Sequence, residues 1–194
     1  GLGNGSLSLD RFRFYMCQDY VFLIEYSRAL ALATAKAADL DTMSRFAHLL
    51  DVTLNQEMAL HREFAAECGI SAETLAATQP APTTLAYTNH LVRVASLGDL
   101  AEIVCGLLPC QWGYSEIGQM LAQQGKPAAV PDYAKWIDMY ASPDFAALSA
   151  WLRELLDNLT SITDEVQLTR IFQTSTRYEY LFWEMAYRKQ DWPV

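Results

Sequence analysis

Apolar side chains recur at three- and four-residue spacing along most of the chain. From Leu9 to about Lys36 they fall at Phe12, Tyr15, Met16, Leu23, Tyr26 and Leu30, which line one face of a long helix. Ser8 precedes that stretch as an N-cap, with Asp10 in the first turn. Asp41 opens a second long helix to about Cys68, and Gly69 stops it. Ser71 caps a short helix through Ala77. Pro80-Ala81-Pro82 is a turn, after which Thr83 or Thr84 starts a helix through Leu97. Gly98-Asp99 resets the chain before a central helix from Leu100 to about Gln123. Residues Gly125 to Pro131 read as loop, and Asp132 begins a short helix to about Tyr140. Ser142-Pro143-Asp144 puts proline at the first helical position of a helix to about Asn158. Thr163-Asp164-Glu165 opens the last long helix. No stretch alternates with period two between hairpin turns, and no repeat or linker interrupts the pattern. The expected fold is a single all-α domain, a helical bundle whose sites are built from side chains projecting inward from different helices.

The central helix carries an anomaly. Pro109 cannot donate its amide, and its ring crowds the carbonyl of Cys105, so a bend is expected there. Cys110 follows at once, with Tyr114 one turn further along the same face. Three acids also fall among large apolar neighbours: Asp19, Glu116 and Glu179. A buried carboxyl holds its proton at neutral pH, as a general acid must, and a thiol needs a neighbour to take its proton before it attacks. Tyr20, Tyr87, Tyr114, Tyr140, Tyr178 and Tyr180 are joined by Phe22, Trp112, Phe182 and Trp183. Many of these rings are core. Phenols inside helices nevertheless need partners, and a shared pocket walled by rings and carboxyls suits a flat, hydrogen-bonding heterocycle.

Composition narrows the choice. With 194 residues and 52% hydrophobic content the chain is long and apolar enough for one domain with a sizeable core. Its net charge of -9, with no basic stripe, argues against a nucleic-acid partner. No apolar run is long enough to span a bilayer, and no signal pattern opens the chain. Cys17, Cys68, Cys105 and Cys110 form no C-x-x-C pair, which reads as a reduced, cytoplasmic protein with free thiols. Glu57 and His61 stand four apart as a possible metal-ligand pair, with His48 and His90 the other histidines. The Glu-x-x-His pair of carboxylate-bridged di-iron bundles is absent. No metal or other cofactor is therefore expected, and Glu57-His61-Arg62-Glu63 reads as charged helix surface or a subunit contact.

In order and spacing, several motifs resemble the TenA family (thiaminase II, aminopyrimidine aminohydrolase). They are Asp10-Arg11-Phe12 with Gln18-Asp19, and Glu57-Met58-Ala59-Leu60-His61-Arg62-Glu63-Phe64. They continue with Leu108-Pro109-Cys110, Trp112, Tyr114, Glu116 and Gly118, then Lys135-Trp136-Ile137 with Tyr140. Tyr178-Glu179-Tyr180, Phe182-Trp183 and Met185-Ala186-Tyr187 complete the set. The resemblance implies a haem-oxygenase-like fold without haem, commonly a homotetramer. It implies hydrolysis of 4-amino-5-aminomethyl-2-methylpyrimidine to the hydroxymethylpyrimidine in thiamin salvage, with thiamin cleavage as a side activity. It also implies roles. Cys110 would be the nucleophile and Glu179 the acid that protonates the ring. Asp19 would be the carboxylate that contacts the pyrimidine amino group near the thiol. Tyr114, Tyr140 and Tyr87 would be pocket tyrosines, and Phe182 a stacking wall. Phe22 stands where some relatives have a pocket tyrosine, which removes one hydroxyl. The chain also opens at the loop that follows a first helix in the family; if that helix is lacking, an open apolar groove would be left for a partner subunit to cover. Two rival readings remain. One is a regulatory or ligand-binding protein on the same scaffold. The other is a hydrolase or lyase of a related small heterocycle.

Overall fold

The computed structural model describes residues 1–159 and 165–193. The expected opening of the last helix at Thr163-Asp164 lies outside the described residues. The elements are α1 (Leu9–Lys36), α2 (Leu40–Val52), a π-helical segment (Thr53–Glu57), α3 (Met58–Glu67) and α4 (Ala72–Ala76). They continue with α5 (Pro82–Leu97), α6 (Leu100–Gln124), α7 (Pro131–Tyr140), α8 (Pro143–Leu159) and α9 (Glu165–Arg188). Every described element is helical. α1 lies against α2, α5 and α9, and α6 lies against α7, α8 and α9.

The helix ends follow the local chemistry. Asp39, not Asp41, is the N-cap of α2; its carboxylate accepts from the Thr42 amide at 2.9 Å. Asp99 and Glu102 form a reciprocal capping box at the start of α6. Pro82 occupies the first turn of α5, where its missing amide costs nothing. Lys36, the last residue of α1, donates to the carbonyls of Ala95, Ser96 and Gly98 at 2.8, 3.0 and 2.6 Å. A cation on the exposed carbonyls of a helix end satisfies both the orphan acceptors and the negative end of the dipole. The far end of α5 is tied to α1 by Gln18. Its Oε1 accepts from the Ala81 amide at 2.9 Å and the Thr84 hydroxyl at 2.7 Å, and its Nε2 donates to the Gln79 carbonyl. α1 and α5 therefore carry Asp19 and Tyr87 in a fixed relation.

As expected, α6 runs through Pro109 as one helix. One feature differs from the sequence expectation: the long second helix is interrupted by the π-helical turn at Thr53–Glu57. Such a turn inserts a residue into the helical register and re-aims the side chains beyond it. Beyond it Met58, His61 and Phe64 are buried, and Glu57 borders an internal cavity.

α6 and the end of α7 approach closely at Gly118. A Cβ there would sit 2.6 Å from the Tyr140 carbonyl carbon and 2.8 Å from the Ala141 amide nitrogen. Backbone cannot yield as a side-chain tip can. Gly118→Ala is expected to destabilise by about 1–3 kcal/mol through overpacking, read from urea denaturation, and to displace Tyr140. Unchanged stability in that variant would show that the two helices can part freely.

Candidate active site

Asp19 and Phe22 from α1, Glu57 from the π turn, Cys110, Gln111 and Tyr114 from α6, Tyr140 from α7 and Phe145 from α8 line a small internal cavity of about 10 Å³. Leu23 and Tyr26 complete the wall. That is about the space one water needs, so a ring-sized guest enters only as the walls part. A wider groove lies outside it between α2 and α8; Glu57 and Phe145 border both spaces.

The expected site residues are brought together. Asp19, Cys110, Tyr114, Tyr140 and Phe22 face the cavity directly. Glu179 comes beside Cys110 from α9: its carboxyl accepts from the Tyr87 hydroxyl at 2.6 Å and interacts with the Cys110 thiol. Phe182 is buried against Phe22, with ring centroids 5.6 Å apart. Two of the residues singled out in the sequence stand apart from the site. Glu116, one acid of the three, is exposed and accepts from the Trp112 indole at 2.8 Å. Tyr180 is 69% exposed.

The reading of Glu57 and His61 as a charged helix surface is also corrected. His61 is 1% exposed. Its Nδ1 lies 2.8 Å from the Glu57 carbonyl, which can only accept, so that nitrogen carries a proton. Its Nε2 lies 2.7 Å from Asp19 Oδ2. Burial alone would lower the histidine's affinity for a second proton. The hydrogen bond and charge of Asp19, with Glu57, outweigh it and raise the value above the ordinary one. Asp19 is thus held by the buried His61 ring. The Tyr15 hydroxyl is 3.2 Å from the same carboxyl oxygen and 3.3 Å from the Tyr114 hydroxyl, and it accepts from the Trp136 indole at 3.2 Å. Glu57 in turn accepts from the Tyr140 hydroxyl at 2.9 Å. Among the described residues no group of three or more His, Cys, Asp and Glu side chains is arranged to hold a metal ion.

Electrostatics follow from this enclosure. Burial, with the Asp19 charge adding to it, pushes the Glu179 carboxyl up to about 7. Burial likewise lifts Glu57 to about 7, opposed by His61 and reinforced by Asp19. The Cys110 thiol is pushed well above its usual value, first by burial and then by the charges of Glu179, Asp19 and Glu57. Burial also keeps Tyr26, Tyr87, Tyr114 and Tyr140 as phenols. The site therefore sets a protonated thiol beside a carboxyl that is half protonated near neutrality. Such a pair can deliver a proton to a basic guest and collect one from sulfur. It becomes nucleophilic only when a guest changes the local charge.

Comparison with known proteins gives this arrangement a context. An "Aminopyrimidine aminohydrolase" of Halalkalibacterium halodurans is 47% identical over 197 aligned residues, covering 99% of this chain and 87% of the relative. A Silicibacter structure described as a TenA family transcription regulator superposes with a TM-score of 0.88 at 34% identity, covering 96% of this chain and 86% of that one. A Shewanella denitrificans domain described as having a heme oxygenase-like fold superposes at 0.76 with 14% identity, covering 97% of this chain and 82% of that one. At that identity the last match speaks for the fold alone: an all-α, haem-oxygenase-like bundle. The TENA/THI-4/PQQC family model matches residues 1–189, the span that contributes every wall of the cavity, and the chain is a member of that family.

Proposed function

We propose that the protein is an aminopyrimidine aminohydrolase of thiamin salvage. It converts 4-amino-5-aminomethyl-2-methylpyrimidine and water to the hydroxymethylpyrimidine and ammonia. The observation that carries this reading is the meeting of the Cys110 thiol with the Glu179 carboxyl beside a small cavity walled by rings. Glu179 in its acid form gives its proton to a ring nitrogen and then accepts the thiol proton. The net result is addition of S–H across a ring C=N bond, with charge conserved. With the substrate amine in its ammonium form, electron density returned from the ring nitrogen expels it from the exocyclic methylene as ammonia, leaving a cationic ring. Water adds at that carbon and loses a proton. The C–S bond then breaks, the ring nitrogen loses its proton, and the aromatic ring is restored. Asp19, fixed by His61 and Tyr15, presents its carboxylate to the amino group of the ring. Tyr114 and Tyr140 supply hydroxyls, while Tyr87 holds Glu179 and Phe182 backs the ring wall through Phe22.

The second ring of thiamin would have to extend toward the outer groove, which shares Glu57 and Phe145 with the cavity wall. No described helix is long and apolar enough to cross a membrane. The four cysteines are free thiols, in keeping with a cytoplasmic enzyme. Tyr180, Leu181 and Tyr187 leave an exposed apolar patch on α9, which suits assembly into a homotetramer. The test is ammonia release from the aminomethylpyrimidine by the purified protein, with the hydroxymethylpyrimidine as co-product. Saturable binding to promoter DNA without any turnover would replace this reading with the regulatory one.

A further inference from the structure

Gln111 stands beside Cys110 on α6 and lines the same cavity. It is 3% exposed. Its backbone is held, since its carbonyl accepts from the Ser149 hydroxyl at 3.0 Å. Its side-chain Oε1 accepts from the Tyr26 hydroxyl at 3.4 Å. Its Nε2 is buried and meets no acceptor. The carboxyls around the cavity are already engaged. Asp19 takes its hydrogen bonds from His61 and Tyr15, Glu57 from Tyr140, and Glu179 from Tyr87, with the Cys110 thiol beside it. A buried amide N–H with no partner is a costly feature to retain, and it calls for an explanation at a site where a guest is received.

We propose that Gln111 determines specificity by donating its side-chain N–H to a lone-pair nitrogen of the bound ring. This rests on the aminopyrimidine reading above. A 4-aminopyrimidine offers two ring nitrogens and one amino group. Glu179 protonates one nitrogen and Asp19 accepts from the amino group. The second nitrogen keeps an in-plane lone pair that must find a donor once water is excluded. Gln111 supplies it, and Tyr26 holds the amide in place from behind. The wall then reads as donor, acceptor and donor, which matches an aminopyrimidine and disfavours a one-nitrogen ring of the same shape. Discrimination of this kind comes from leaving a buried polar group unpaired when the wrong ring binds.

The experiment compares wild type with Gln111→Met on the aminomethylpyrimidine and on its two deaza analogues, each with one ring nitrogen replaced by C–H. Gln111→Met is expected to raise KM about tenfold with kcat little changed, as loss of one neutral hydrogen bond does. Wild type should bind the analogue that lacks the Gln111-facing nitrogen about tenfold more weakly than the pyrimidine, and the variant should bind that analogue and the pyrimidine alike. The unliganded variant should melt close to wild type, because the change removes the unpaired N–H together with the acceptor of the Tyr26 hydroxyl. Gln111→Leu gives the same pattern where methionine packs poorly. If the variants keep both the wild-type KM and its preference between rings, the inference is overturned while the aminopyrimidine reading stands. Absence of binding and turnover in the wild type overturns both.

Discussion

Replacing Cys110 with alanine is expected to lower ammonia release by at least about 10³-fold, since losing a covalent nucleophile removes the pathway rather than weakening a contact. The sulfur borders the cavity, and its thiol interacts with Glu179. Alanine removes that one atom and leaves the surrounding rings in place. The variant should therefore fold, and it should still be stabilised by the hydroxymethylpyrimidine in a thermal melt. The combination matters: lost turnover with retained binding assigns sulfur to the chemistry, whereas loss of both would make it a packing residue. Wild-type rates in this variant would remove Cys110 from the reaction altogether.

Glu179→Gln is expected to cost about 10²–10⁴-fold in kcat/KM, the usual range for losing a positioned general acid. The amide cannot give up a proton to the ring or take one from sulfur. In the wild type the same carboxyl sets a pH limb. Its value is raised to about 7, so the acid form dominates below that pH and is lost above it. The kcat/KM profile should fall with rising pH through about 7, and the limb should vanish in the variant. Stability moves the same way. A carboxyl whose folded value is raised holds more protons in the native state than in the unfolded chain between the two values, so it erodes native stability as pH rises through that window. The glutamine variant should consequently be no less stable than wild type above pH 7, a result that a purely structural role for Glu179 would not produce. Glu57 titrates over the same range, so the limb is assigned by its disappearance in the Glu179 variant and not by its position alone.

Much of this architecture could be read before any coordinates. The period of the apolar positions placed α1 from Leu9 to Lys36, and the turn chemistry at Gly69, Pro80-Ala81-Pro82, Gly98-Asp99 and Ser142-Pro143 separated the helices correctly. Cys110 and Tyr114 share a face of α6 because four residues make about one turn, and both meet the cavity. Asp19 and Glu179 stood out as acids in apolar surroundings. Glu116 satisfied the same criterion and was misleading. Its neighbour Trp112 lies on the solvent side of α6, where the indole donates to it.

The chief loss was at Glu57 and His61. They stand in a run with Arg62 and Glu63, and that local charge pointed to a wet face. The π turn adds one residue to the register, about 100° of rotation. Its trace is present in the burial pattern: Phe46, Leu49, Thr53, Met58, His61 and Phe64 are buried, with a step of five between Thr53 and Met58 where three or four is normal. Thr53 is not an apolar residue, so that step was invisible to a hydrophobic pattern.

Helix positions, their ends and the chemistry of isolated side chains are local properties, because they depend on propensity, periodicity and capping within a few residues. Which carboxyl is neutral, which is paired with a histidine ring, and which amide is left without a partner depends on groups that meet across α1, α3, α6 and α9. Those meetings arise only when the chain is packed, since the exclusion of water that raises Glu179 and confines Gln111 belongs to no single helix.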